Sequence, residues 1–379
     1  MESDNSEDFV RNGNRLYNLP PDIPQKDQSN TYSKKGFFRL KNLQIINIVK
    51  LFIKFTIAIF LLLTLYRLGS IDNSLVFSTF SKPYILVYTL ICLFLGIVLG
   101  GIRWWILLYM SGHYFSLATA LQLQLMGSFF STYLPGAAGG DLIRGAYILK
   151  AVRKNEGRTS AILSIVVDRI FALLGLILVG AAAAAYIFLS EFHVDGLDIY
   201  TNAISILIVI SPIGMLSMVA GVLFFPKLSI FNILPSRIRM YFIIISELSA
   251  AYTNHWILLL ACMLISIVAS AIVIIGIIFI ATAFPFAPDY LITAIAGVFG
   301  NVFSAIPITP GGVGVGETAF SSVCHKLTET SAPFASIYLT FRLLMFIANI
   351  PGGGFAIIDR IRPKFSTARS KANLKTHTR

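Results

Sequence analysis

The chain has 379 residues, 56% of them apolar and 13% charged, with a formal net charge of +12 at pH 7. So large an apolar share with so few charges excludes a soluble globular enzyme and places the chain among all-α integral membrane proteins. The positive charge lies in tails and loops, so it reads as orientation and attraction to lipid surfaces, and no nucleic-acid partner is expected.

Residues 1–44 are polar. They begin acidic (Glu2, Asp4, Glu7, Asp8), pass Pro20, Pro21 and Pro24, and turn basic at Lys34, Lys35, Arg39 and Lys41, the pattern of a disordered cytosolic tail. No signal peptide is read there, because the first apolar run starts late and lacks a small-residue cleavage site. That run, about 45 to 66, is the first expected span, with Lys50 and Lys54 placed to snorkel. A short loop follows to about 82. The second span, about 83 to 109, passes Arg103-Trp104-Trp105 near its cytosolic end, which reads as an interfacial aromatic belt.

A segment at 114–134, a bend at 135–140 and a short helix at 141–150 come next, with Arg103 before them and Lys150, Arg153, Lys154 and Arg158 after. Basic residues at both ends make this a re-entrant hairpin. The third span, about 160 to 189, carries Asp168-Arg169 and five alanines at 181–185 that permit close helix packing. The fourth span is expected at 203–225, a surface stretch at 237–255 and the fifth span at 256–283. A second hairpin at about 290–325 follows. The sixth span, 333–358, carries Arg342 and is expected to break at Pro351-Gly352-Gly353-Gly354; residues 359–379 form a basic cytosolic tail. Cys92, Cys262 and Cys324 share no short spacing and the five histidines are scattered, so neither a disulfide framework, a metal site nor a cofactor is expected.

The two hairpins are copies. Gly127, Phe130, Ser131, Pro135 and Asp141 find counterparts in Gly300, Phe303, Ser304, Pro310 and Glu317, and each copy is followed by an arginine in an apolar span, Arg169 or Arg342. Three crossings separate them, so 83–189 and 256–358 form an inverted repeat of about six spans and two hairpins, with both termini cytosolic. Interrupted helices in inverted repeats mark a transporter's binding site near the bilayer midplane.

Helix N-termini at such bends aim N–H groups outward, and glycine admits a ligand close to that backbone. The candidate binding residues are therefore Pro135, Gly136, Gly139, Gly140, Asp141, Arg144, Asp168 and Arg169 in the first copy. In the second they are Pro310, Gly311, Gly312, Gly314, Glu317 and Arg342. Guanidinium groups bind phosphate bidentately, which makes a lipid phosphate the expected anion. Asp141, Asp168 and Glu317 then pair with arginines in the empty site or take up protons. Two plainer roles compete: Asp141 and Glu317 as helix caps, and Asp168-Arg169 with Arg342 as structural ion pairs.

Leu134-Pro135-Gly136, Gly139-Gly140-Asp141 with Arg144, Asp168-Arg169, the box Thr309-Pro310-Gly311-Gly312-Val313-Gly314-Val315-Gly316-Glu317 and Arg342 resemble the transmembrane, flippase-like domain of lysylphosphatidylglycerol synthases and related multi-pass membrane proteins. That resemblance, which runs from about 45 to 360, implies translocation of an anionic phospholipid or a polyprenyl-phosphate-linked lipid across the cytoplasmic membrane. It also implies a separate envelope-lipid synthase or glycosyltransferase as a partner. The family's full-length synthases carry a soluble aminoacyl-transferase domain after the membrane part, where only a basic tail follows here, so lysyl transfer and catalytic residues are not expected. Two alternatives stay open: a membrane-embedded transferase using Asp141, Asp168 or Glu317, and a non-catalytic partner of an envelope-lipid enzyme.

Overall fold

The computed structural model describes residues 53, 56–133, 139–152, 157–189, 252, 255–306 and 308–357, all within one compact unit, Leu51–Arg379. The described residues are helices joined by turns: α1 Thr56–Arg67, α2 Asn73–Phe80, α3 Pro83–Met110, α4 Leu117–Tyr133, α5 Gly139–Ala151 and α6 Arg158–Leu189. Then come α7 Trp256–Ala281, α8 Tyr290–Ala305, a 3-10 turn at Pro310–Gly312, α9 Val315–Thr328 and α10 Ala335–Ile357.

Length sorts these helices. Four of them, α3, α6, α7 and α10, are long and apolar enough to cross a bilayer; at a rise of 1.5 Å per residue the 26 residues of α7 reach about 39 Å, beyond a hydrocarbon core of about 30 Å. The hairpin helices are too short. The 17 residues of α4 and 13 of α5, like the 16 of α8 and 14 of α9, span only about 20 to 25 Å each, so each pair turns back on itself. Among the described residues α1 starts at Thr56, and the expected fourth span, the 237–255 stretch apart from Tyr252 and His255, and both tails lie outside them.

Corresponding helices pack in an exchanged, antiparallel manner. Early in α3, the Thr89 hydroxyl donates to the carbonyl of Gly276, late in α7, while Arg103, late in α3, donates to Ser266, early in α7. Likewise α4 runs against α10: Tyr133 donates to the Phe346 carbonyl at 2.8 Å, Asn349 to Thr132 at 3.0 Å, and Gly352 sits on the Leu125 carbonyl. Its counterpart is α6 against α8, with Gly180 on Val298.

Two expectations change. The loop after α1 holds a helix, α2, whose N-cap Asp72 accepts from the N–H and hydroxyl of Ser74. The Ser74 hydroxyl holds the Asp72 carboxyl below its ordinary value. The break expected at Pro351–Gly354 is absent, because α10 continues through Pro351. The proline removes one backbone donor, but Gly352 and Gly353 let α10 close on Leu125 and Phe129, and that packing supports the helix as it continues.

Candidate functional site

The start of α5 and the turn at Gly311 meet at a cavity of about 700 Å³ whose wall is drawn from α3 to α8, Gly311 and α10. Of the residues expected from sequence, Asp141, Arg144, Asp168, Arg169, Gly311 and Arg342 line it. Its floor at the first bend is a charged chain across three helices. Asp141, in the first turn of α5, receives two Arg169 nitrogens in a bidentate pair, Nε at 2.9 Å and Nη2 at 3.0 Å. Arg144, one turn further along α5, also donates to Asp141, then to Gln124, and at 3.4 Å to Asp168. Asp168 is held from its other oxygen by Arg103 Nε at 2.8 Å. The Arg144 guanidinium lies 4.9 Å from the centroid of the Trp104 ring. Arg103, Arg144 and Asp168 are almost fully buried, whereas half of the Arg169 side chain is exposed.

This arrangement follows from helix periodicity. Asp168 and Arg169 are neighbours in sequence and so diverge by about 100° around α6; one faces α3, the other α5. They therefore cannot form the pair that their adjacency invites. Close approach of the hairpin helices rests on Gly140, where a Cβ would strike the Gly127 carbonyl and the Ser131 hydroxyl.

The second bend is closed. Pro310 begins a tight turn in which Gly311, Gly312 and Gly314 all take positive φ, a region glycine enters without strain. Arg342, from α10, reaches into that turn. It donates to Glu317 through Nε and, at 3.3 Å, through Nη2; to the Gly311 carbonyl; and at 3.0 Å to both the Gly312 carbonyl and Ser304. The remaining Glu317 capacity is used on its own helix, where Oε2 accepts from the Gly314 N–H at 2.8 Å. Both side chains are 3% exposed or less. A further relay runs from Ser304 to Tyr338 and from the Tyr338 hydroxyl to Asn301 Oδ1, each at 3.3 Å.

The α9 N-terminus is thus not bare, as the sequence led one to expect: the Glu317 carboxylate occupies the Gly314 donor. Glu317 does the capping and the ion pairing at once. Gly139 starts α5; Pro135 and Gly136 lie outside the described residues. Sequence reasoning missed Arg103, Trp104, Gln124, Asn301, Tyr338 and Asn349. Arg103 and Trp104 were read as an interfacial belt, yet Arg103 is 5% exposed and Trp104 fully buried, its Nε1 donating to Ser164 at 3.3 Å. The signal that could have found them is an arginine with a matching intramembrane carboxylate, Asp168, in the next span. Asn301 and Asn349 carried a signal of their own as amides inside apolar runs.

A profile of the family described as lysylphosphatidylglycerol synthase TM region matches residues 48–353. No curated protein and no solved structure matches the chain.

Proposed function

The chain belongs to the lysylphosphatidylglycerol synthase TM region family, and from that premise we propose that it moves an anionic phospholipid or polyprenyl-phosphate-linked lipid across the cytoplasmic membrane. In this reading both termini are cytosolic, as the distribution of Lys and Arg predicts, and the two inverted halves open the cavity alternately to either side.

One observation carries the reading. Arg169 presents a half-exposed guanidinium to the cavity, paired bidentately with a carboxylate that a phosphate can replace in the same geometry. Around the cavity four arginines meet three carboxylates, so one positive charge is in excess. The lipid's phosphate would displace Asp141 from Arg169, while Arg144 retains Asp141 and keeps the acid from being stranded without a partner. Support for a lipid tail comes from an apolar hollow of about 150 Å³ between α6 and α8, lined by Ile177, Gly180, Ala181, Ala184, Val298 and Phe299 among others. Its first α6 residue, Ile177, directly follows Leu176, which with Ala172 and Leu173 lines the polar cavity. The alanine run thus makes room as well as contact. That each of Asp141, Asp168 and Glu317 is engaged by guanidinium favours translocation over the transferase alternative, whose carboxylates would have to bind a metal or accept a proton.

The test is leaflet accessibility of fluorescent anionic lipids in proteoliposomes. The native protein is expected to move them, and Arg169→Ala, with its melting unchanged, to lose at least about tenfold in rate, as the loss of a charge-assisted bidentate contact predicts. Unaltered movement in Arg169→Ala would displace the phosphate from this site. No movement by folded native protein would overturn translocation.

A further inference from the structure

Beside the Arg169–Asp141 pair lies a second pair that is only half made. Arg169 holds Asp141 with the Nε and Nη2 donors of one guanidinium edge, one on each carboxylate oxygen. Arg144 turns the same edge to the same acid but uses half of it. Its Nη2 donates to Asp141 Oδ1, while its Nε is buried and, among the described residues, has no hydrogen-bond partner. The third nitrogen, Nη1, is tied to Gln124 and, at 3.4 Å, to Asp168, and the guanidinium carbon lies 4.9 Å from the centroid of the Trp104 ring. Gly127 makes room for the rest of the side chain, since a Cβ there would strike Arg144 Cγ and Cδ at 2.9 Å. A charged donor left unmade in the interior is costly, and the group that can complete it is already bonded to the nitrogen next to it.

Asp141 has one carboxylate for two forks. Its Oδ1 is shared between the two arginines, and its Oδ2 goes to Arg169 alone. A turn of the carboxylate that carries Oδ2 from Arg169 Nε to Arg144 Nε, with Oδ1 kept on Arg144, completes a bidentate pair of the same geometry. The turn exchanges a half-exposed partner for a buried one. In the empty cavity it leaves Arg169 without an acid; an anion seated on Arg169 removes that cost. We propose that Asp141 is a two-position latch, passed from Arg169 to Arg144 when an anion occupies Arg169, and that Arg144 is the positioning residue that receives it. This rests on the reading of Arg169 as the phosphate ligand. Its structural consequence is that a tie between α5 and α6 becomes a tie within one turn of α5, so loading the cavity loosens the first hairpin from α6 at this corner.

The experiment uses the full chain in detergent, with dihexanoylphosphatidylglycerol, a water-soluble lipid anion, as the probe. Calorimetry reads its affinity, and a Trp105→Phe, Trp256→Phe background, which leaves Trp104 as the sole indole, reads the guanidinium beside it. Loading is expected to change Trp104 emission saturably, since the cation near its ring changes partner. Arg144→Lys keeps the charge but has no fork, and should weaken binding about tenfold. Asp141→Asn, which frees Arg169 in advance, should bind about two- to fivefold tighter than the native chain. On the Asp141→Asn background Arg144→Lys should no longer matter, an outcome that a purely structural Arg144 does not give. Equal losses from Arg144→Lys on both backgrounds, or native affinity in Arg144→Lys itself, would overturn the latch. So would unchanged Trp104 emission on binding, a readout that needs neither charge variant to fold. An absence of binding by folded native protein, or binding that Arg169→Ala leaves intact, would instead overturn the reading of Arg169 on which the latch rests.

Discussion

The two bends share a motif and differ in what they do with it. At the second, one arginine binds a single tight turn, its acid and Ser304, and the ion pair is almost fully buried. At the first, charge is spread over Arg103, Asp168, Arg144, Asp141 and Arg169 on three helices, the last of them half exposed, and Arg144 Nε and Ser131 Oγ are left without partners among the described residues. The counterpart serine, Ser304, accepts from Arg342 and meets Tyr338. A duplicated sequence is therefore not a duplicated arrangement. The second copy is a clamp that fixes a glycine turn; the first copy leaves a guanidinium half exposed at the cavity.

The largest test of that contrast is to remove each arginine. Arg342→Ala would strand Glu317 in a fully buried position and free the Gly311 and Gly312 carbonyls, and breaking such a pair costs about 3–5 kcal/mol; we expect a large fall in melting temperature in detergent. Arg169→Ala removes a half-exposed partner while Arg144 still holds Asp141, so its cost should stay within about 1 kcal/mol. Similar melting temperatures for the two variants would erase the distinction between clamp and ligand site.

Next in size is the packing beneath each bend. A methyl on Gly140 meets the Gly127 backbone carbonyl, which cannot swing aside, so α4 and α5 must part. A methyl on Gly316 meets the ends of side chains, Ser304, Arg342 and Tyr338. Both alanine variants should be destabilised by about 1–3 kcal/mol, with Gly140→Ala the worse. The reverse order in thermal melts would make the second bend the tighter of the two. The openness of the first bend lies in its charges, not in its packing.

Much of this fold was legible in sequence because a bilayer enforces it. The bounds of α3, α6 and α7 follow from apolar length alone, and the hairpins from glycine, proline and basic flanks. The pairing within the site was less legible, since hydropathy gives depth in the membrane but not the face of a helix. Arg103 and Trp104 stand where a belt would stand, and only the rotation of α3 toward Asp168 makes them buried partners. Pro351–Gly354 has the composition of a break, and what keeps it helical is a neighbour, Phe129, that no local rule sees. The motif at Asp72-Asn73-Ser74 was a readable cap for α2, hidden by the expectation of a plain loop.

The smallest test is the sharpest, because it compares the same residue in both copies. Ser304→Ala takes an acceptor from buried Arg342 and a partner from Tyr338, so it should cost on the order of 1 kcal/mol. Ser131→Ala removes a hydroxyl that has no protein partner among the described residues, and the loss of a buried unsatisfied group should leave stability unchanged or slightly raised. Since both are deletions of one oxygen beside a hairpin glycine, differences in helix propensity and size cancel between them. Thermal melts of the pair thus read the hydrogen bonds alone. An equal loss at Ser131 would mean that its hydroxyl is already bonded within the protein, and the contrast between the two serines would fall.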